Sequence, residues 1–239
     1  MISIITWLWP TPGANAIYTA THVNALHAAV ARHYPAPHRF ICITNETDDF
    51  DPGVELVRDR EDFAGVPSPR GDPHPSCYRR LRLFAPDAAT TFGERIVSID
   101  LDCVISNDLR PVWDRPDDFV IWRDPGNRTP YCGSMFLLTA GARSQVWKQF
   151  DPARSPQAAR AARCLGSDQG WIAYCLGPHE ATWTAADGVL SYRIDGLHRN
   201  FLPPGVRVTF FHGKVKPWDP EALALAWVRE NLRSFKPGA

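Results

Sequence analysis

Arg95–Leu109 reads "RIVSIDLDCVISNDL", an apolar run of strand type driven straight into two acids one residue apart. Ile96, Val97, Ile99 and Leu101 read as a buried strand, and Val104 and Ile105 continue the apolar character. Carboxylates are seldom buried unless they are paired or bound to a metal. Asp100 and Asp102 share parity, so in an extended chain both side chains leave the same face. Two acids so placed suit a divalent cation, a phosphatase nucleophile with its acid, or a plain strand end.

The surroundings narrow the choice. The 239 residues suffice for one α/β domain spanning 1–239 with a sizeable core. Lys plus Arg equals Asp plus Glu, 26 each, which argues against a general nucleic-acid or membrane-surface binder. No apolar stretch reaches the roughly 18 residues that a transmembrane segment needs. "MISIITWLWP" is too short and uncharged for a signal peptide and reads as a first strand. Six cysteines without a C-x-x-C pair read as reduced thiols, which implies a cytoplasmic protein.

Strands are expected at 2–7, 39–44, 54–57, 95–101, 119–122, 134–139 and 206–211. Helices are expected in "YTATHVNALHAAVARHY" (18–34), "SCYRRLRLFAPD" (76–87), "ARSQVWKQF" (142–150), "SDQGWIAYCL" (167–176) and "DPEALALAWVRENLRSF" (219–235). In the second, Tyr78, Leu81 and Phe84 face inward while Arg79, Arg80 and Arg82 spread over the other faces. In the last, Asp219 is placed as N-cap and Pro220 in the first turn of one continuous helix. This alternation predicts an open, mostly parallel mixed sheet flanked by helices, with ligands outside the carboxyl ends of the strands. Asp100 and Asp102 lie there. Residues 59–76 carry too much proline and glycine for a regular element and read as an active-site loop. Residues 151–166, with Arg154, Arg160 and Arg163, read as a solvated basic face.

"DLDCV" also fits the opening of haloacid-dehalogenase-type phosphatases, where the first Asp is the nucleophile and the second the general acid. That chemistry needs later acids at a strand end, and Asp117–Asp118 precede their strand instead of ending it. Three further groups favour the cation. "FFHGKVKPWD" brings His212, Gly213 and Lys216 within five residues, a set suited to a metal-bound diphosphate. "GSDQGW" opens a helix with Asp168 and Gln169. "PYCGSMF" sets Gly133 and Ser134 before a strand, where backbone can approach a ligand. Singly, each has a plainer reading: Asp168 as an N-cap, His212 as a surface residue, "KPW" as a stiff lead into a helix.

As a set, "YRRLRLF", "IDLDCVISNDL", "SDQGW" and "HGKVKPW" resemble, in order, the GT-A-fold glycosyltransferases of family 8, the glycogenin and bacterial galactosyltransferase group. The resemblance covers about residues 77–219. It implies a metal-dependent glycosyltransferase that moves a sugar from a nucleotide-sugar, foremost a UDP-sugar, to an unknown glycan, lipid or protein acceptor with retention of configuration. It implies Mn²⁺ or Mg²⁺ held by Asp100, Asp102 and His212. Nucleotide and phosphates would meet Thr6, Trp7, Arg80, Leu101, Gly213 and Lys216, with Tyr18 a weaker base contact. Cys132, Gly133 and Ser134 would wall the donor-sugar pocket, and residues 59–76 and 151–166 would shape the acceptor side. Asp168 would bond donor hydroxyls, and Gln169 would lie beneath the anomeric carbon as a stabiliser.

Three departures from the family pattern stand out. First, His212 abuts Gly213, with Phe210 at the usual His position; second, Cys132 replaces an Asn. The segment after the first strand, "TWLWPTPGANAIY", is also longer than usual. A catalytically silent nucleotide-sugar or glycan binder of the same fold is the alternative of a different class.

Overall fold

The computed structural model describes residues 1–9, 18–69, 71, 74–233 and 235. Ten strands form two sheets: β1 (Ile2–Leu8), β2 (His38–Thr44), β3 (Glu55–Arg58), β4 (Arg95–Ile99), β5 (Cys103–Ile105), β6 (Phe119–Arg123), β7 (Tyr131–Thr139), β8 (Ala181–Trp183), β9 (Val189–Ser191) and β10 (Val208–Phe210). The helices are α1 (Ala20–His33), α2 (Ala88–Phe92), α3 (Arg110–Trp113), α4 (Gln145–Lys148), α5 (Ser155–Ala161), α6 (Asp168–Leu176), α7 (Pro220–Leu223) and α8 (Ala226–Asn231), with a 3₁₀ segment at Cys77–Phe84.

The large sheet has the order β3-β2-β1-β4-β7-β6-β8, and only β7 runs against its neighbours. It is therefore mostly parallel, as expected. Its strands read as near-continuous apolar runs because both faces are covered. Val97, Ile99 and Leu137 join Val23 and Val30 of α1 on one face. Ile96, Phe136 and Leu138 meet Leu81, Phe84 and Trp171 on the other.

The small sheet, β5-β10-β9, corrects two expectations. The strand of the Asp pair leaves the large sheet at Ile99 instead of Leu101, and 206–211 contributes β10 to the second sheet. The two sheets are stitched at the acids. Asp100 N–H donates to Ser134 O in β7 (2.9 Å), and Phe211 N–H donates to Asp102 O (2.8 Å).

The C-terminal segment is two short helices, not one. Leu225 is extended between them, and the side-chain oxygen of Asn200 accepts from Ala226 N–H at 2.6 Å, starting α8 afresh. Asp219 stands at the N-cap of α7, but its carboxylate accepts from Lys216 N–H instead (2.8 Å). No helix among the described residues is long and apolar enough to cross a membrane.

Candidate active site

A cavity of about 410 Å³ opens at the carboxyl ends of β1 and β4. Thr6, Trp7, Arg80, Leu101, Ser134 and Lys216 line it, with both acids and with His212 and Gly213. Ser68, His74 and Pro75 of the expected loop supply part of its wall. Residues 10–17, between Trp9 and Tyr18, lie outside the described residues.

Asp100 and Asp102 do not share one extended face, because the chain bends between β4 and β5. They nonetheless reach the same cavity and meet different cations. Asp100 pairs with the Nη1 group of Arg80. Asp102 pairs with Lys216 Nζ at 2.5 Å and accepts from the Tyr18 hydroxyl at 3.2 Å. Tyr18 thus sits against the acid.

Arg80 is buried, contrary to the outward placing expected for it. Its Nε lies 2.8 Å from Asp168 Oδ2, and Nη2 donates to Asp168 Oδ1 at 3.1 Å. Asp168 is 0% exposed and also accepts from the Ser167 hydroxyl. Its carboxylate faces Arg80 and Ser167 and does not line the cavity, so in this geometry it anchors the arginine. Three carboxylates against two cations leave the cluster one negative charge, which suits a further cation.

Gly133 shows why glycine stands there. A Cβ at that position would meet Asp168 Oδ2 at 3.2 Å, Gln169 Cβ at 3.4 Å and Arg80 Nη2 at 3.5 Å. Its N–H donates to Gln169 Oε1 (3.2 Å), which fixes that amide at the start of β7. Cys132 is buried, and its thiol donates to the Ser134 hydroxyl at 3.4 Å. Burial pushes that thiol up to about 12, so it stays protonated and reaches the site only through Ser134.

His212 and Phe210 do share a face, as their spacing predicts: both rings lie on Trp122, at 5.2 and 4.7 Å. The His212 Nε2 atom is 2.7 Å from the Ser191 hydroxyl. With Nε2 protonated, Nδ1 carries the lone pair that a cation could use. Burial holds the imidazole below its ordinary pKa, which favours the neutral form. Gly213 follows at φ +124°, a conformation that side chains rarely adopt, and so turns the chain toward Lys216.

Among the described residues, no three His, Cys, Asp or Glu side chains converge tightly enough to hold a metal by themselves. The donor set still fits Mg²⁺ or Mn²⁺. Such ions are commonly bound by one or two carboxylates, with substrate phosphates and waters completing the shell. Also in the cavity wall, the buried Thr6 Oγ1, Trp7 Nε1 and Trp9 Nε1 atoms lack hydrogen-bond partners among the described residues. Buried polar atoms are normally satisfied, so these are groups on which a ligand could bond.

Sequence reasoning missed Ser191, Trp9 and Trp122. Ser191 sits on β9, whose three residues are too few to signal it, and the shared face of Phe210 and His212 was read only as letting His212 reach a metal, not as a stack on Trp122. The phosphatase reading fails on geometry. Asp117 and Asp118 precede β6 at the opposite end of the sheet and pair with Arg115 and Arg143.

No protein-family profile matches the sequence, and no curated protein does. Solved structures do match. The galactosyltransferase LgtC, in complex with donor and acceptor sugar analogs, superposes with a TM-score of 0.69 at 14% identity, over 99% of this chain and 97% of that one. The glycosyltransferase GlyE of Streptococcus pneumoniae TIGR4 gives 0.61 at 9% identity, over 100% of this chain and 66% of that one. The bifunctional glycosyltransferase WbbM gives 0.59 at 14% identity, over 97% and 49%. An active-site Gln-to-Glu mutant of LgtC is also among the matches, at 0.66. The fold is that of the GT-A domain of these glycosyltransferases.

Proposed function

We propose that the chain is a metal-dependent glycosyltransferase that breaks the sugar–phosphate bond of a nucleotide-sugar, foremost a UDP-sugar, and passes the sugar to an acceptor with retention. The observation that carries this reading is the convergence, in one cavity, of two acids, two cations and unpartnered buried donors. Thr6 and Trp7 take the base end and Leu101 backs the nucleotide. Asp100 and Asp102 hold Mn²⁺ or Mg²⁺, with His212 Nδ1 a third donor. The bound cation supplies charge neutralisation as the diphosphate leaves.

Lys216, no longer needed as the counter-charge of Asp102, binds a phosphate oxygen together with the Gly213 amide. Arg80, gripped by Asp168, cannot swing away and presents its remaining N–H edge to the donor. Gln169 steadies the anomeric centre. Gly133 and Ser134 let the sugar approach the backbone.

The test is release of UDP from UDP-glucose or UDP-galactose with Mn²⁺, in the presence of mixed sugar acceptors. Release that stops on chelation supports the reading. Tight UDP binding without any turnover favours the silent binder, and hydrolysis of simple phosphate esters without UDP binding favours a phosphatase.

A pH dependence follows from Asp100. Burial pushes its carboxyl up to about 6, against the lowering effect of Arg80 and with the Asp102 charge adding to the rise. A cation needs the carboxylate, so affinity is full above that value and is lost as pH falls through it. UDP-glucose, whose diphosphate has no proton to gain near pH 6, should bind roughly tenfold more weakly at pH 5 than at pH 7 in fixed Mn²⁺. Titration calorimetry reads this, and Asp100→Asn should bind weakly at both values.

A further inference from the structure

A second cavity, of about 370 Å³, lies beside the first and is lined by Arg123, Arg128, Arg163, Thr129 and Tyr131, with no acidic residue in its wall. It opens on the same edge of the large sheet, because β6 runs in the direction of β4 and Arg123 ends β6. Trp122, the residue before Arg123, stacks on His212 of the donor cavity. Tyr131 stands two residues before Gly133 on β7, a Cα separation of about 7 Å. The two cavities are therefore neighbours across the start of β7.

Arg123, Arg128 and Arg163 form no ion pair among the described residues, whereas Arg80, Arg82 and Arg143 are each paired with carboxylates. Arg123 has only a 3.5 Å contact with the Thr182 hydroxyl. Three like charges around one hollow attract an anion, and the Asp124 carboxylate, which accepts from Arg128 N–H, offsets only part of that charge.

Two features describe the wall that carries these arginines. Thr129 in its wall is 7% exposed, and its hydroxyl is buried without a partner among the described residues. The loop that carries Arg128 and Thr129 is also preset: the Asp124 carboxylate accepts from the N–H groups of Gly126, Arg128 and Thr129 at 3.0–3.3 Å. An arginine fork matches a phosphate or carboxylate better than a neutral hydroxyl.

We propose that this arginine-lined hollow holds a compact anionic substituent, phosphate or carboxylate, on the acceptor sugar. The inference rests on the glycosyltransferase reading for the word acceptor, while the anion site itself stands on the arginines. It narrows the acceptor to charged glycans and gives the basic 151–166 segment a task beyond solvation, through Arg163.

The test titrates glucose 6-phosphate, glucuronic acid and methyl glucoside into the protein, with and without saturating UDP and Mn²⁺. At low salt, one or both charged sugars should bind at least tenfold more tightly than the neutral one. The exposed pair change Arg123→Gln with Arg163→Gln should abolish that preference. Whichever charged sugar binds better identifies the anion. Equal binding of methyl glucoside, no binding of any probe, or a preference that survives in the double variant would overturn the proposal. Absence of UDP binding would count against the donor site alone, since the arginine dependence is read in either condition.

Discussion

Asp168→Ala should lower the stability of the fold by about 3–5 kcal/mol, because it strands a buried guanidinium. Asp168 is 0% exposed and touches both the Nε and Nη2 atoms of Arg80. Asp100 remains as a second partner on Nη1, which places the expected cost nearer 3 than 5. For a chain of this length that is a fall in Tm of roughly 6–12 °C. Urea unfolding of wild type, Asp168→Ala and Asp168→Asn measures it, with the asparagine intermediate because it keeps the volume and one acceptor. A cost below about 1 kcal/mol would mean that Arg80 finds solvent or another partner, and its proposed place beside the donor would lose its support.

Asp102→Ala should weigh more on binding than on folding. The pair it breaks is mostly buried, at 12% and 17% exposure, but Lys216 can turn toward water, so the folding cost is about 1–3 kcal/mol, below that of Asp168→Ala. Metal-dependent UDP affinity should fall on the order of 100-fold or more, since even outer-shell changes at metal sites cost 10–100-fold. Titration of UDP in Mn²⁺, beside an unfolding curve of the same sample, separates the two effects. Undiminished affinity in a folded Asp102→Ala protein would remove that residue from the metal site.

The contrast between these acids was only partly legible in the sequence. The D-x-D spacing, the strand before it and the "HGKVK" turn named the residues that meet in the cavity. Nothing local could show that Asp100 would choose Arg80 and Asp102 would choose Lys216, because those partners lie 20 and 114 residues away. Arg80 and Arg82 were placed outward on a helical wheel. The segment is a 3₁₀ turn, in which Tyr78, Leu81 and Phe84 recur every third residue, and the arginines are buried by acids elsewhere in the chain.

The long apolar strands and α1 could be read because each carries several residues of one period. β5, β8 and β9 have three residues each, too few for a period to appear. The division of the last helix was hidden for a related reason. Its apolar stripe is continuous through Leu225 and Val228, but the break is set by Asn200, which caps α8 from outside the segment.

Most direct is a calorimetric titration of UDP into wild-type protein with Mn²⁺ and with chelator, with GDP run alongside to identify the base. Binding that appears with Mn²⁺ and vanishes with chelator is the expected result. It would mean that the acids at the end of β4 hold a cation against a diphosphate. No binding of either nucleotide under both conditions would contradict the nucleotide-sugar reading, and leave Asp100 and Asp102 as acids that only pair Arg80 and Lys216 within the fold.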